Sequence, residues 1–464
     1  MSTFSSLGSA LSALRYNRVG LDNASQNIAN VGVDGYTRRR VEATTSGVPS
    51  VPAMWARTQD AAGGVRVTGT SRMADAFLDA RARTEHGRQS YLDVRQGVLD
   101  RLETGIGEPG DNGLAAVMGE FRQAWADLAN NPSNEAARSQ VLARGAAVAD
   151  AVQLQARNFT VEADDQRMRL NSMVTEANTV ASDLATTNTA VASAQMRGDD
   201  ASDLLDQRDT LALRLSELTG GRAVANENGG LDFTVNGVPL VTSGRAGTLQ
   251  VATGVTPTGE ADGNPVTFQI VAPDSTVTAV PPGAAGEIAA VTDLLDTTIP
   301  AYLSGLGQVA QTLADSVNAV HESGYDATGA AGGAFFSYDP SDPAGTLTVA
   351  VADNAHIAAS GMPGGVVDGS VADQLAETTD AESSYQALVN GLGSTIASGR
   401  RLAANQSMVT AQVDGSREQL AGVNLDEEML SMVQYQRGYE AAARVMTTVD
   451  SMLDTLINRT GLVH

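Results

Sequence analysis

The sequence contains no cysteine. That excludes disulfides, thiolate metal sites and a cysteine nucleophile. Aromatic residues are scarce, at 4% of 464 positions. A core made mainly of Ala, Leu, Val and Met suits closely packed helices better than a large all-β barrel. No apolar run reaches the ~18 residues of a membrane-spanning helix. The opening Met-Ser-Thr-Phe-Ser-Ser-Leu-Gly-Ser-Ala lacks a basic n-region and a continuous apolar h-region, so no secretory signal peptide is expected. Basic residues are few, 30 against 54 acidic ones, for a net charge of -24. Such a surface repels phosphate backbones and anionic membranes, so neither nucleic acid nor membrane is expected as a partner.

Motifs for chemistry are missing too. The histidines, His86, His321, His356 and His464, are dispersed and form no H-x-x-x-H pair. There is no G-x-S-x-G elbow and no P-loop lysine. Gly105-Ile-Gly-Glu-Pro-Gly110 fits G-x-G-x-x-G, but it stands between helical stretches and reads as a loop. The group Asp199, Asp200, Asp203, Asp206 and Asp209 lacks calcium-loop spacing. With Arg208 and Arg214 nearby as partners, it reads as a solvated or interface face. No catalytic residue, metal or cofactor is expected, and the chain is expected not to be an enzyme.

What the sequence does have is patterned ends. Steps of three and four from Phe4 give Phe4, Leu7, Leu11, Leu14, Arg18, Leu21, Ser25 and Ile28, mostly apolar with small or polar residues between. The same count near the other end gives Met432, Tyr435, Tyr439, Ala442, Met446, Val449, Leu453 and Leu456, all apolar or aromatic. A repeat of ~3.5 residues is a coiled-coil seam. Each stripe alone is too narrow to order its helix, so the two ends are expected to pair. Asn23, Asn27 and Asn30 recur on one face of the first helix, where amides can hydrogen-bond a neighbouring subunit without burying charge. Gly32 and Gly35 then break the helix.

Between the ends, the pattern predicts a helical hairpin over about 72–130 and long helices over 134–218, with Ser133 as a cap. Leu231-Asp-Phe-Thr-Val235 and Val266–Val271 read as strands, and Asn236-Gly237 as a hairpin turn. Helix returns over 287–323 and 379–420, with a second β-like patch over 324–372. The fold class is mainly α with β insertions (α+β): paired terminal coiled-coil helices, an elongated helical bundle and a small outer β region. The expected domains are 1–33 with 424–464 (terminal coiled coil), 34–219 with 287–323 and 373–423 (helical), and 220–286 with 324–372 (outer β-rich insertions).

Three segments resemble a known family. Asn23-Ala-Ser-Gln-Asn-Ile-Ala-Asn-Val-Gly-Val-Asp-Gly-Tyr36-Thr-Arg38 is similar to the N-terminal signature of flagellar rod, hook and hook-associated proteins. Gly32-Val33-Asp34 stand where that signature has Asn-Thr-Pro, and Arg39 where hook-associated members have Gln. Asp203-Leu-Leu-Asp-Gln-Arg-Asp209 and the run Gly422–Glu428, Gln434–Tyr439 and Ala441–Val445 resemble the FlgK hook-associated family. The resemblance implies a structural subunit of the bacterial flagellum at the hook–filament junction, exported unfolded through the flagellar type III apparatus. It implies as partners copies of the chain in a ring, the hook protein on one side, a second hook-associated protein on the other, and a cytoplasmic export chaperone. The assembly residues would be the apolar seam positions of both helices, with Asn23, Asn27, Asn30 and Tyr36. Other readings are a hook or rod subunit, a secreted adhesin or enzyme on helical ends, and a cytosolic coiled-coil protein.

Overall fold

The computed structural model describes residues 3–45, 64–111, 113–227, 229–364 and 368–455; the predicted positions Leu456 and His464 lie outside them. The chain opens with helix α1 (Thr3–Ala29) and a hairpin of β1 (Arg39–Thr45) and β2 (Val65–Arg72), whose register pairs Arg39 with Arg72. It closes with α10 (Asp380–Ala421) and α11 (Leu425–Asp454). α1, the β1–β2 hairpin and α11 pack together as one arm.

The body is built on helices. α2 (Ala76–Ile106) starts where the Asp75 carboxylate accepts from the Phe77 and Leu78 amides. α3 is Leu114–Asn130. α4 (Glu135–Arg197) runs 63 residues, about 95 Å at the α-helical rise. Its cap is Asn134 rather than Ser133: the Asn134 side chain accepts from the Ala136 and Ala137 amides. α5 is Ser202–Thr219. The helices expected over 72–130 and 134–218 are therefore two pairs, parted by the loop around Gly107–Gly113 and by the break at Gly198.

Two small antiparallel sheets follow. One has β3 (Arg222–Ala225), β4 (Leu231–Val235), β5 (Val238–Thr242) and β6 (Arg245–Ala246) in sequence order; the other has β7 (Thr248–Thr253), β8 (Thr267–Val271) and β9 (Val277–Val280). Asn236 (φ 48°) and Gly237 (φ 88°) turn the β4–β5 hairpin in the left-handed geometry that this dipeptide favours. Both sheets lie against α4, held by amides of that helix. Asn178 exchanges two hydrogen bonds with the Leu249 backbone, and Asn188 does the same with Leu231.

The chain then returns through α6 (Glu287–Asp293), a π turn at Leu294–Thr298 and α7 (Ile299–Glu322). The segment 324–372 departs from expectation. Its strands are β10 (Phe336–Ser337) and β11 (Thr348–Val349), two residues each, with the short helices α8 (Pro343–Thr346) and α9 (Ser370–Ala376). It is not an outer β layer. Phe335 and Phe336 are fully buried against Phe121, and Phe335 packs on Trp125 as well, with ring centroids 4.8–5.6 Å apart. In a chain so poor in aromatics, these rings fill the space between helices, and the strand pairing left to the segment is a two-residue ladder of Phe336 with Val349 and Ser337 with Thr348.

One apolar core runs through the body, from Val98 and Leu99 on α2 to Ile396 on α10. Among the described residues, none of the arm belongs to it. Among the described residues, no helix is long and apolar enough to cross a membrane.

Candidate assembly interface

The arm's helices are antiparallel, with Asn27 beside Glu428, Gly20 beside Tyr435 and Asn17 beside Gly438. The expected pairing of the ends is present, but the tight face of α1 lies one position back from the leucine seam. Ala10, Gly20, Asn23, Ala24 and Asn27 are buried; Leu7, Leu14, Leu21 and Ile28 are half-buried and Leu11 is exposed. Phe4 stands in the first turn of α1. The reason is distance. A side chain at Gly20 would collide with the Tyr435 ring, which also meets Tyr16 edge-on at 5.9 Å. Helices this close need small residues between them.

On α11 the predicted positions fit better. Ala442 and Val449 are buried, and Met432, Tyr435, Met446 and Leu453 half-buried. Tyr439 is exposed, because Gly438 takes its place against Asn17. Leu425, Met429, Leu430, Val433, Val445 and Met452 are exposed as well. The pair therefore buries its small face and keeps much of its apolar surface open.

At the top of the arm, Asn27 joins three segments. Its Nδ2 donates to the Arg39 carbonyl (3.0 Å) and to Glu428 Oε2 (3.1 Å). Its Oδ1 accepts from the Arg39 amide (3.0 Å) and from the Tyr36 hydroxyl (2.8 Å). Asn23 donates to Thr70 Oγ1 on β2, and Asn30 to the Gln26 carbonyl of its own helix. The amides of Asn23 and Asn27, expected to face a neighbour, are thus used within the chain. Arg38 clamps the start of α11, donating to Glu428 Oε1 at 2.7 Å and to Glu427 Oε2 at 2.9 Å.

Of the two partners expected for the aspartates of α5, only Arg208 reaches them, and the rest come from the β1–β2 hairpin. Arg39 pairs with Asp203 and lies 3.5 Å from Asp206. Arg72 reaches both Asp206 (2.7 Å) and Asp209 (2.9 Å) and also donates to Thr37 Oγ1. Of the expected partners, Arg208 joins its neighbour Asp209, while Arg214 turns away to Glu176, Glu217 and Glu287. Positions i, i+3 and i+6 do drift around the helix, but β1 and β2 end side by side and bring two arginines to that arc. Sequence reading missed Gly20, Arg39, Arg72 and Glu428. The arginine run Arg38-Arg39-Arg40 was the available signal, since a net-acidic chain places few cations together by accident.

The three described histidines make structural contacts. His86 on α2 lies between Glu217 of α5 (3.4 Å) and Asp414 of α10 (2.9 Å). The Glu217 hydrogen bond raises its pKa, burial opposes this and Asp414 adds to the rise. His321 is fully buried; Nδ1 donates to the Gly333 carbonyl (2.6 Å) and Nε2 accepts from the Ala358 amide (2.9 Å). Burial lowers its pKa and keeps the ring neutral. His356 pairs with Asp326 at 2.9 Å. Among the described residues no group of His, Asp and Glu could hold a metal ion.

The comparisons with known proteins agree in direction. Residues 99–336 match the family model of the flagellar hook-associated protein FlgK helical domain. Residues 419–459 match that of the flagellar basal body rod FlgEFG protein C-terminal region. The chain is 29% identical to flagellar hook-associated protein 1 of Bacillus subtilis, covering 99% of each. It is 23% identical to the Escherichia coli protein of that name, over 97% of this chain and 99% of that one. The solved flagellar hook junction protein FlgK from Burkholderia pseudomallei shares the fold, with a TM-score of 0.64 at 15% identity, over 73% of this chain and 99% of that one.

Proposed function

The chain belongs to the flagellar hook-associated protein FlgK family, and from that premise we propose that it is the structural subunit joining hook to filament. The observation that carries this is the end-to-end match to hook-associated protein 1 together with the terminal match to the rod-protein family. A chain with an axial-type end and a hook-associated body suits a junction layer.

Its work is packing, not catalysis. Copies assemble in a ring through the paired ends α1 and α11, on whose open surface Leu11, Met429, Leu430 and Val433 meet neighbours. One side of the ring meets the hook protein and the other a second hook-associated protein. The chain travels through the flagellar type III apparatus and is held by a chaperone beforehand. Terminal helices with so much exposed apolar surface favour both steps, because a partner covers what the monomer leaves open.

Deleting the gene tests this reading. Electron microscopy should then show hooks without filaments, with flagellin shed into the medium. Absence of hooks would move the subunit down to the rod or hook, and normal filaments would reject the junction role.

A further inference from the structure

Helix α10 is packed on one side and open on the other. Gly399 lies against the Gln96 side chain and Thr410 against the Glu85 carbonyl, both on α2. Arg400 and Arg417 reach Asp100 and Asp79 of the same helix. On the open side Leu402 is 55% exposed and Met408 64%, and Val409 and Leu420 are exposed too. At the α-helical period Leu402, Val409 and Leu420 fall on one face, with Met408 beside it. Apolar side chains grouped in this way on a surface mark a contact.

Charge sets this face apart from the rest of the body. From Ser383 to Val413, α10 contains no acidic residue, and the charges that interrupt it there, Arg400 and Arg401, are positive. From Ala246 to Glu382 the reverse holds: the chain is acidic throughout and has no lysine or arginine. Glu322, Asp339, Asp353, Asp373 and Glu377 of that stretch are all exposed. Two copies set side by side therefore repel where those carboxylates face one another, and do not along α10. In physiological salt the repulsion reaches about 8–10 Å, so it decides which surfaces can touch.

The position of the face says what covers it. α10 passes into α11 through Gly422-Val423-Asn424, and at that corner the Arg38 amide donates to the Ala421 carbonyl (2.9 Å). Exposed apolar residues continue across the corner, from Leu420 to Leu425, Met429 and Leu430. We infer that the open face of α10, centred on Leu402, Met408 and Val409, packs on the body of a neighbouring copy of this chain. Copies are then joined by body as well as by arm, along one surface that runs from α11 up α10, while the acid-rich stretch stays clear of its neighbours. This rests on the junction role proposed above. The occupant is a second copy because the face extends the surface on which arms meet, and because a like-charged body can approach only where acidic residues are missing.

The test places the photocrosslinking residue p-benzoylphenylalanine at Met408 of the full-length chain, in cells that lack the native gene. Illuminated hook–filament structures should yield an adduct of twice the chain's mass. An adduct with a different protein, or no adduct on hooks that bear filaments, overturns the proposal. A second measurement uses Leu402→Glu combined with Met408→Glu. Both positions are exposed, so the purified chain should melt as the parent does, yet most hooks should lose their filaments. Met196→Glu, on an exposed residue at the far end of α4, should keep them. A double variant that carries filaments as the Met196→Glu chain does also overturns the proposal. Failure of the parent chain itself to restore filaments would instead count against the junction role, so the two are told apart.

Discussion

Asn27 makes four hydrogen bonds with one side-chain amide, two to the Arg39 backbone and one each to Tyr36 and Glu428. Asn27→Ala would leave the Arg39 amide and carbonyl buried without partners. Each such group costs about 1–3 kcal/mol. Asn27→Asp should be worse at neutral pH, because it sets a carboxylate against Glu428. Hydrogen exchange at the Arg39 amide should rise steeply in both variants while body amides stay protected. Unchanged protection at Arg39 would show that the amide is not the tie.

His86 and His321 respond to pH with opposite sign. The pKa of His86 is raised in the fold, so its contribution is complete below the ordinary value of about 6.5 and is lost as pH rises through the folded value. The pKa of His321 is lowered, so its contribution is complete above about 6.5 and is lost as pH falls through the folded value. Melting curves of His86→Gln should therefore approach those of the parent at alkaline pH and fall below them near pH ~5–6. A His86→Gln deficit that grows with pH would reverse this assignment. Chemistry at this scale also explains the cation used: every basic residue is arginine and none is lysine. Only a planar fork lets Arg72 hold Asp206 and Asp209 together.

At the scale of elements, the helices were legible because period and punctuation agree. Gly198 and Gly220 end them and Asn236-Gly237 turns a hairpin, while the α4 cap, read as Ser133, is Asn134 one residue on. The 324–372 segment was not legible. Alternation at Leu347–Val351 looks like a strand, yet tertiary demand decided otherwise, since Phe335 and Phe336 are needed between α3, α4 and α7. Phe335→Ala should accordingly cost about 3–5 kcal/mol in urea unfolding, a core penalty rather than that of a surface strand. A loss below ~1 kcal/mol would return the segment to the periphery. The α1 seam failed in a related way. Heptad counting finds the large residues, whereas the closest contact is made by the small ones, Gly20 and Ala24, which no hydrophobic pattern highlights. Which residues of α5 and the hairpin pair was also hidden, because the partners lie well over a hundred residues apart in sequence.

At the scale of the whole molecule, the chain divides its labour. The body holds the continuous core and needs no partner to bury it. The arm has a thin interior closed by small residues, and leaves Leu11, Met429, Leu430, Val433, Val445 and Met452 exposed among its polar side chains. That open apolar surface is what supports the proposed assembly through the ends. Gly20→Leu separates the two parts, because it forces α1 off Tyr435 without reaching the body. The most direct measurement is therefore to complement the gene deletion with the Gly20→Leu chain and examine the cells by electron microscopy, after confirming that the purified variant's body melts as the parent does. The account predicts bare hooks, with flagellin and the variant chain both released into the medium. Full-length filaments on those hooks would show that the pairing of α1 with α11 is not what builds the junction.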